Sequence, residues 1–192
     1  MPRTLRTLLL HRAARLQERP ALTAPGWGTL SYAQFRNRVE GVAMGLWAGT
    51  PPPVLQAATG TPWDWVAEVA VATSGLAWAA TGAPIPGEVL GGPDFHAEGG
   101  RGPCHALEQS VREDTPFSAD LAQGEVLLRL QRLNLRLGWD HDTRLELPLA
   151  QVGEAPLRAA LWSLLYAGGH AVLGETRAWD ARPFEGFWES TR

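Results

Sequence analysis

Three short stretches carry residue types that could do chemistry. Gly99-Gly100-Arg101-Gly102-Pro103 sets a cation among glycines, whose backbone N–H groups can approach an anion closely, so Arg101 is a candidate anion ligand. No strand-to-helix pattern follows it, and a plain loop competes with that reading. His96 and His105 flank Cys104, and two imidazoles with one thiolate are donors that zinc accepts, but their spacing matches no standard pattern. Asp140-His141-Asp142 places three ligand types in succession, where a solvated turn is the simpler explanation. None of these is expected to hold a metal, and no residue stands out as catalytic.

The surrounding composition narrows the classes. All 17 basic residues are arginine, against 20 acids, for a net charge of −3. There is no basic footprint, so nucleic acid is not an expected partner. Cys104 is the single cysteine, which excludes an internal disulfide and fits a reducing cytoplasm. No apolar run approaches the roughly 20 residues of a membrane span. With 45% apolar residues and nine tryptophans in 192 residues, the chain can bury a sizeable core.

The elements that would position these residues follow from periodicity. Leu5, Leu8, Leu9, Ala13 and Leu16 form one stripe of a helix over 4–18, ended by Pro20. Two extended runs, 21–24 and 29–32, flank Pro25-Gly26-Trp27-Gly28 and predict a hairpin. Ser31 can then cap a helix over 32–48. A strand over 54–58, a helix from Thr61-Pro62 to Ser74 and a strand over 76–81 make a right-handed parallel unit. From Gly82 to Phe117 no period is sustained. A helix over 119–137, a strand over 143–149, a helix over 155–167 and a strand over 170–173 complete the pattern. Asp180 opens a last short helix whose Phe184, Phe187 and Trp188 dock on the rest. The expectation is one domain, residues 1–192, with a first part over 1–82, an irregular connection over 83–117 and a second part over 118–192.

Several of these segments resemble the adenylate-forming ligases, which include the acyl-CoA synthetases and adenylation domains. Arg19-Pro20-Ala21-Leu22 and Leu30-Ser31-Tyr32-Ala33-Gln34-Phe35 are similar to that family's opening. Leu137-Gly138-Trp139-Asp140-His141-Asp142-Thr143-Arg144, Leu147-Pro148-Leu149 and Leu164-Leu165-Tyr166-Ala167-Gly168-Gly169-His170-Ala171-Val172-Leu173 are similar to a later block, and Asp180-Ala181-Arg182-Pro183-Phe184 to the helix after it. The resemblance implies an α/β fold, layered helices on mostly parallel β-sheet, like the front part of the large domain.

It also exposes departures. The family carries a Ser/Thr/Gly-rich loop ending in Pro-Lys-Gly, where glycines and a cation cradle the ATP phosphates. The matching slot, about 111–121, reads Arg-Glu-Asp-Thr-Pro-Phe-Ser-Ala-Asp through its middle, with no glycine and with Glu113, Asp114 and Asp120 set to repel a triphosphate. Thr73-Ser74-Gly75 copies the loop's start, but at a helix end. Where the family's histidine borders the acyl and adenylate pocket, Gln151 stands, and glutamine does not titrate.

These departures imply a non-catalytic homologue acting as a binding or interaction module, with no cofactor. A homo-oligomer, or a complex with a protein such as a full-length synthetase, is the expected state. One alternative is a binder of acyl, AMP or CoA ligands in a vestigial pocket, with Gln151, Gly153 and Gly168 as its candidate residues. The other is an acid–thiol ligase using ATP, CoA and Mg, completed by another chain.

Overall fold

The computed structural model describes residues 2–48, 54–56, 60–78, 83–84, 111–176 and 178–189. Arg101, His96, Cys104 and His105 lie outside them.

Helix α1 (Leu5–Leu16) starts where Thr4 and Thr7 cap each other: the Thr4 hydroxyl accepts from the Thr7 N–H, and Thr7 accepts from the Thr4 N–H. Strands β1 (Pro20–Ala24) and β2 (Gly28–Ser31) form the expected antiparallel hairpin. Helix α2 (Tyr32–Ala48) opens on a second reciprocal cap, Ser31 N–H to Gln34 Oε1 at 2.9 Å and Gln34 N–H to Ser31 Oγ at 3.3 Å. Strand β3 (Val54–Gln56), helix α3 (Trp63–Thr73), β4 (Ala77–Trp78) and β5 (Ala83–Pro84) follow. Then come α4 (Gln123–Leu137), β6 (Arg144–Pro148), α5 (Ala155–Ala167) and β7 (His170–Gly174).

The first helix is Leu5–Leu16 rather than 4–18, and three further expectations change more. Helix α4 starts at Gln123 rather than 119, because the Phe117 and Ser118 N–H groups both turn back to the Leu121 carbonyl and close a turn there. The strand expected over 143–149 ends at Pro148, where the chain enters a single 3-10 turn, Leu149–Gln151. The closing helix is likewise a 3-10 turn, Arg182–Phe184, with the Asp180 carboxylate accepting from the Arg182 N–H.

The fold is α/β with mostly parallel pairing. One sheet has the order β2-β1-β7-β6, parallel except at the hairpin; the other, β4-β3-β5, is parallel throughout. In the larger sheet Leu22, Ala24, Leu147, Ala171 and Leu173 are buried against the helices. The alternate positions are mostly polar, with Ala21 and Val172 the exceptions. Thr29 bonds Thr23 at 2.7 Å, Thr23 bonds His170 at 2.8 Å, and exposed Arg144 and Glu146 pair at 3.0 Å. That alternation gives one core face and one hydrated face, and a one-residue slip would exchange them.

The core is strongly aromatic. Trp162 on α5 is fully buried, with Trp65 edge-on at 5.1 Å and Phe117 at 5.9 Å. Trp188 then stacks on Phe117 at 5.2 Å, and Phe184 is buried, so the final segment docks as its aromatics require. Arg129 of α4 holds that segment by donating to the Phe187 and Glu189 carbonyls. Among the described residues no helix is long and apolar enough to cross a membrane.

Candidate functional site

The segment at the phosphate-loop position, 111–122, folds into a tight turn rather than an open cradle. Val111, Phe117 and Leu121 are buried beneath it, while Glu113, Asp114 and Asp120 face solvent. Several backbone donors in it and just after it are engaged. Thr115 N–H goes to the Arg112 carbonyl, Phe117 N–H to Leu121, Gln123 N–H to Thr115 and Gly124 N–H to Glu113. An anion nest needs several N–H groups converging on one point, and these four are turned to the protein's own carbonyls.

Gln123, which the sequence did not single out, locks this turn to the core. It is fully buried; its Oε1 accepts from the Leu5 N–H at 3.0 Å, and its Nε2 donates to the Ala72 carbonyl at 2.5 Å. One side chain thus satisfies an open donor at the start of α1 and an open acceptor at the end of α3. The partners lie 118 and 51 residues away, so no local pattern marks it.

Gln151 sits in the 3-10 turn beyond the C-terminal end of β6, half-buried. Its Oε1 accepts from the Trp179 indole N–H at 2.8 Å. Trp179 continues into an aromatic row with Phe184 at 5.8 Å, and Phe184 meets Trp139 at 5.5 Å. The amide is therefore tied to an indole at the strand end. Gly153, two residues on, is exposed, and a Cβ there would meet nothing within 4 Å.

Gly168 does not join them. β6 and β7 run parallel from Arg144↔His170 to Pro148↔Gly174, so Gly168 precedes one end while Gln151 follows the other. The two are about 13 Å or more apart at 3.3 Å per residue. Gly168 closes α5 with φ +88°, and a Cβ there would lie 2.8 Å from Leu16 Cδ1, 3.6 Å from His141 Cβ and 3.7 Å from Arg12 Cδ. Its neighbours are thus the end of α1 and the 140–143 turn.

That turn is held by Asp140, whose Oδ1 accepts from the Asp142 N–H at 2.9 Å and lies 3.3 Å from the Thr143 hydroxyl. The Asp142 N–H, and less so the hydroxyl and His141, hold the Asp140 carboxyl below its ordinary range. Asp142 instead pairs with Arg19. Among the described residues no group of three His, Cys, Asp or Glu side chains converges as metal ligands would. Thr73 and Ser74 are buried, with hydroxyls turned back on the Val69 and Ala70 carbonyls, so they belong to the helix end.

The sequence matches no family model and no curated protein. Solved structures do match. The apo form of MatB from Rhodopseudomonas palustris superposes with TM-score 0.65 at 15% identity, over 93% of this chain and 46% of that one. The nonribosomal peptide synthetase FmoA3, in its AMPPNP-bound form, gives 0.65 at 13% identity, over 92% of this chain and 23% of that one. A putative long-chain-fatty-acid CoA ligase from Rhodopseudomonas palustris gives 0.60 at 19%, over 91% and 58%. The chain thus spans less than half of MatB and only part of each of the others. Its fold is that of part of the large domain of the adenylate-forming ligases.

Proposed function

We propose that this chain is a non-catalytic relative of the adenylate-forming ligases that serves as a binding or interaction module. The observation that supports this is the turn at 111–122. The Arg112, Thr115, Phe117 and Ser118 N–H groups are hydrogen-bonded within the segment, and its exposed side chains include three acids. Adenylate formation develops negative charge on a triphosphate, and preorganised donors and cations are what stabilise it. This position holds no glycine or lysine, and its one cation, Arg112, stands next to Glu113 and Asp114. The pairing of Gln151 with Trp179 supports the same reading, since the strand end is occupied by the protein's own side chain.

ATP–pyrophosphate exchange with a panel of carboxylic acids, run on the isolated protein, tests the proposal. No exchange above background is expected. Acid-dependent exchange at rates typical of an enzyme would overturn it. A partner, whether a second copy or a full-length synthetase, belongs to the same proposal and is sought by light scattering and co-purification.

A further inference from the structure

The larger sheet ends on an open edge. In its order β2-β1-β7-β6, β6 pairs with β7, and among the described residues no strand flanks its other side. The two strands run parallel with Arg144 opposite His170, and the His170 N–H donates to the Thr143 carbonyl at 2.8 Å. That bond fixes the parity of the ladder. Leu145 and Leu147 turn their backbone groups to β7, while the N–H and C=O groups of Arg144 and Glu146 point away from it. Pro148, the next residue to face outward, has no N–H and closes the edge.

Open edges are commonly guarded by charge. Here Arg144 and Glu146 are both more than half exposed and pair with each other at 3.0 Å. A guard of one sign would repel a second copy, but this one carries both signs two residues apart. When two copies of β6 meet antiparallel about a dyad at Leu145, Arg144 of each lies directly opposite the partner's Glu146. The same two residues hold the outward N–H and C=O groups, so backbone and charge select one register. Moving the dyad by one residue sets Arg144 against the partner's Arg144, or Glu146 against the partner's Glu146, and like charges directly opposite oppose pairing.

The other face of the strand supplies apolar surface. Leu145 is half-buried there and would meet the partner's Leu145 at the dyad. The aromatic row of Trp139, Phe184 and Trp179 connects the two ends of β6, since Trp139 precedes the turn that enters the strand and Trp179 is bonded to Gln151 beyond it. Both indoles are half-buried, and the dyad turns the Trp139 end of one row towards the Trp179 end of the other. These side chains add area to an edge pairing that alone falls short of the roughly 1,200 Å² of a stable interface.

We propose that β6 pairs antiparallel with β6 of a second copy, centred on Leu145, and joins two four-stranded sheets into one. The inference names the partner in the reading of this chain as an interaction module, and it rests on that reading. A monomer without pyrophosphate exchange removes the second copy alone, whereas exchange activity removes the reading itself.

Analytical ultracentrifugation of the full chain over about 1–200 μM tests it, with the parent expected to dimerise. Arg144→Glu and Glu146→Arg each set like charges across the dyad, and each should weaken the dimer about tenfold or more. Mixed in equal amounts, the two single variants again present opposite charges and should dimerise with each other. The double exchange, Arg144→Glu with Glu146→Arg, should dimerise by itself. Recovery in these two arms separates a charge effect at the edge from simple misfolding. A parent that stays monomeric at about 200 μM overturns the proposal. So do single variants that dimerise as the parent does, and so does loss without recovery in the mixture or in the double exchange.

Discussion

The Arg6 guanidinium lies against the Glu40 carboxylate in a two-pronged pair, 2.8 Å and 3.2 Å, with the side chains 1% and 0% exposed. It joins α1 to α2 inside the apolar layer, where an uncompensated charge is costly. Glu40→Gln is expected to destabilise the fold by about 3–5 kcal/mol, since it removes the carboxylate charge from beside a buried arginine. Arg6→Met with Glu40→Leu should recover most of that loss. Urea unfolding of the two variants measures both numbers.

Gln123→Leu keeps the volume of the buried amide and removes both of its bonds. The Leu5 N–H and the Ala72 carbonyl are then left without them, for an expected loss of about 2 kcal/mol or more. Hydrogen exchange should show faster opening at the first turn of α1, a response that simple loss of packing elsewhere would not produce.

His170 supplies a pH dependence. Burial, and secondarily the nearby Arg144 charge, pushes its imidazole below the ordinary value of 6.5. As pH falls below 6.5 the unfolded chain takes up the proton first, so stability declines from there down to the depressed folded value. Thr23 Oγ1 at 2.8 Å and the Arg144–Glu146 pair are the polar groups facing it. His170→Gln should flatten that part of a melting-temperature profile recorded from pH 8 to pH 5.

Gln151→His installs the residue type that the resemblance to the ligases implies for this position. Trp179 then loses its acceptor at 2.8 Å, and its emission should shift. No pyrophosphate exchange should appear, because the 111–122 turn keeps its exposed acids and its own hydrogen bonds.

Much of the architecture was legible because it rests on local rules. The ends of α2 follow from the Ser31 cap and its apolar stripe, and α5 matches its expected span of 155–167. The start of α4 was misplaced because its first residues look helical, while Phe117 and Leu121 are drawn into a turn by burial. The absence of glycine and lysine from the 111–121 slot was visible in composition. The partner of Gln151 was not visible, because Trp179 is 28 residues away across a strand.

The amide of Gln123 also dictates an order of events during synthesis. Leu5 leaves the ribosome long before residue 123 is made, so the opening turn of the first helix must stay hydrated while more than half the polypeptide is assembled. Stalling translation just before that codon would leave a nascent chain whose leading end is open to proteases, and releasing a few dozen further residues would close it.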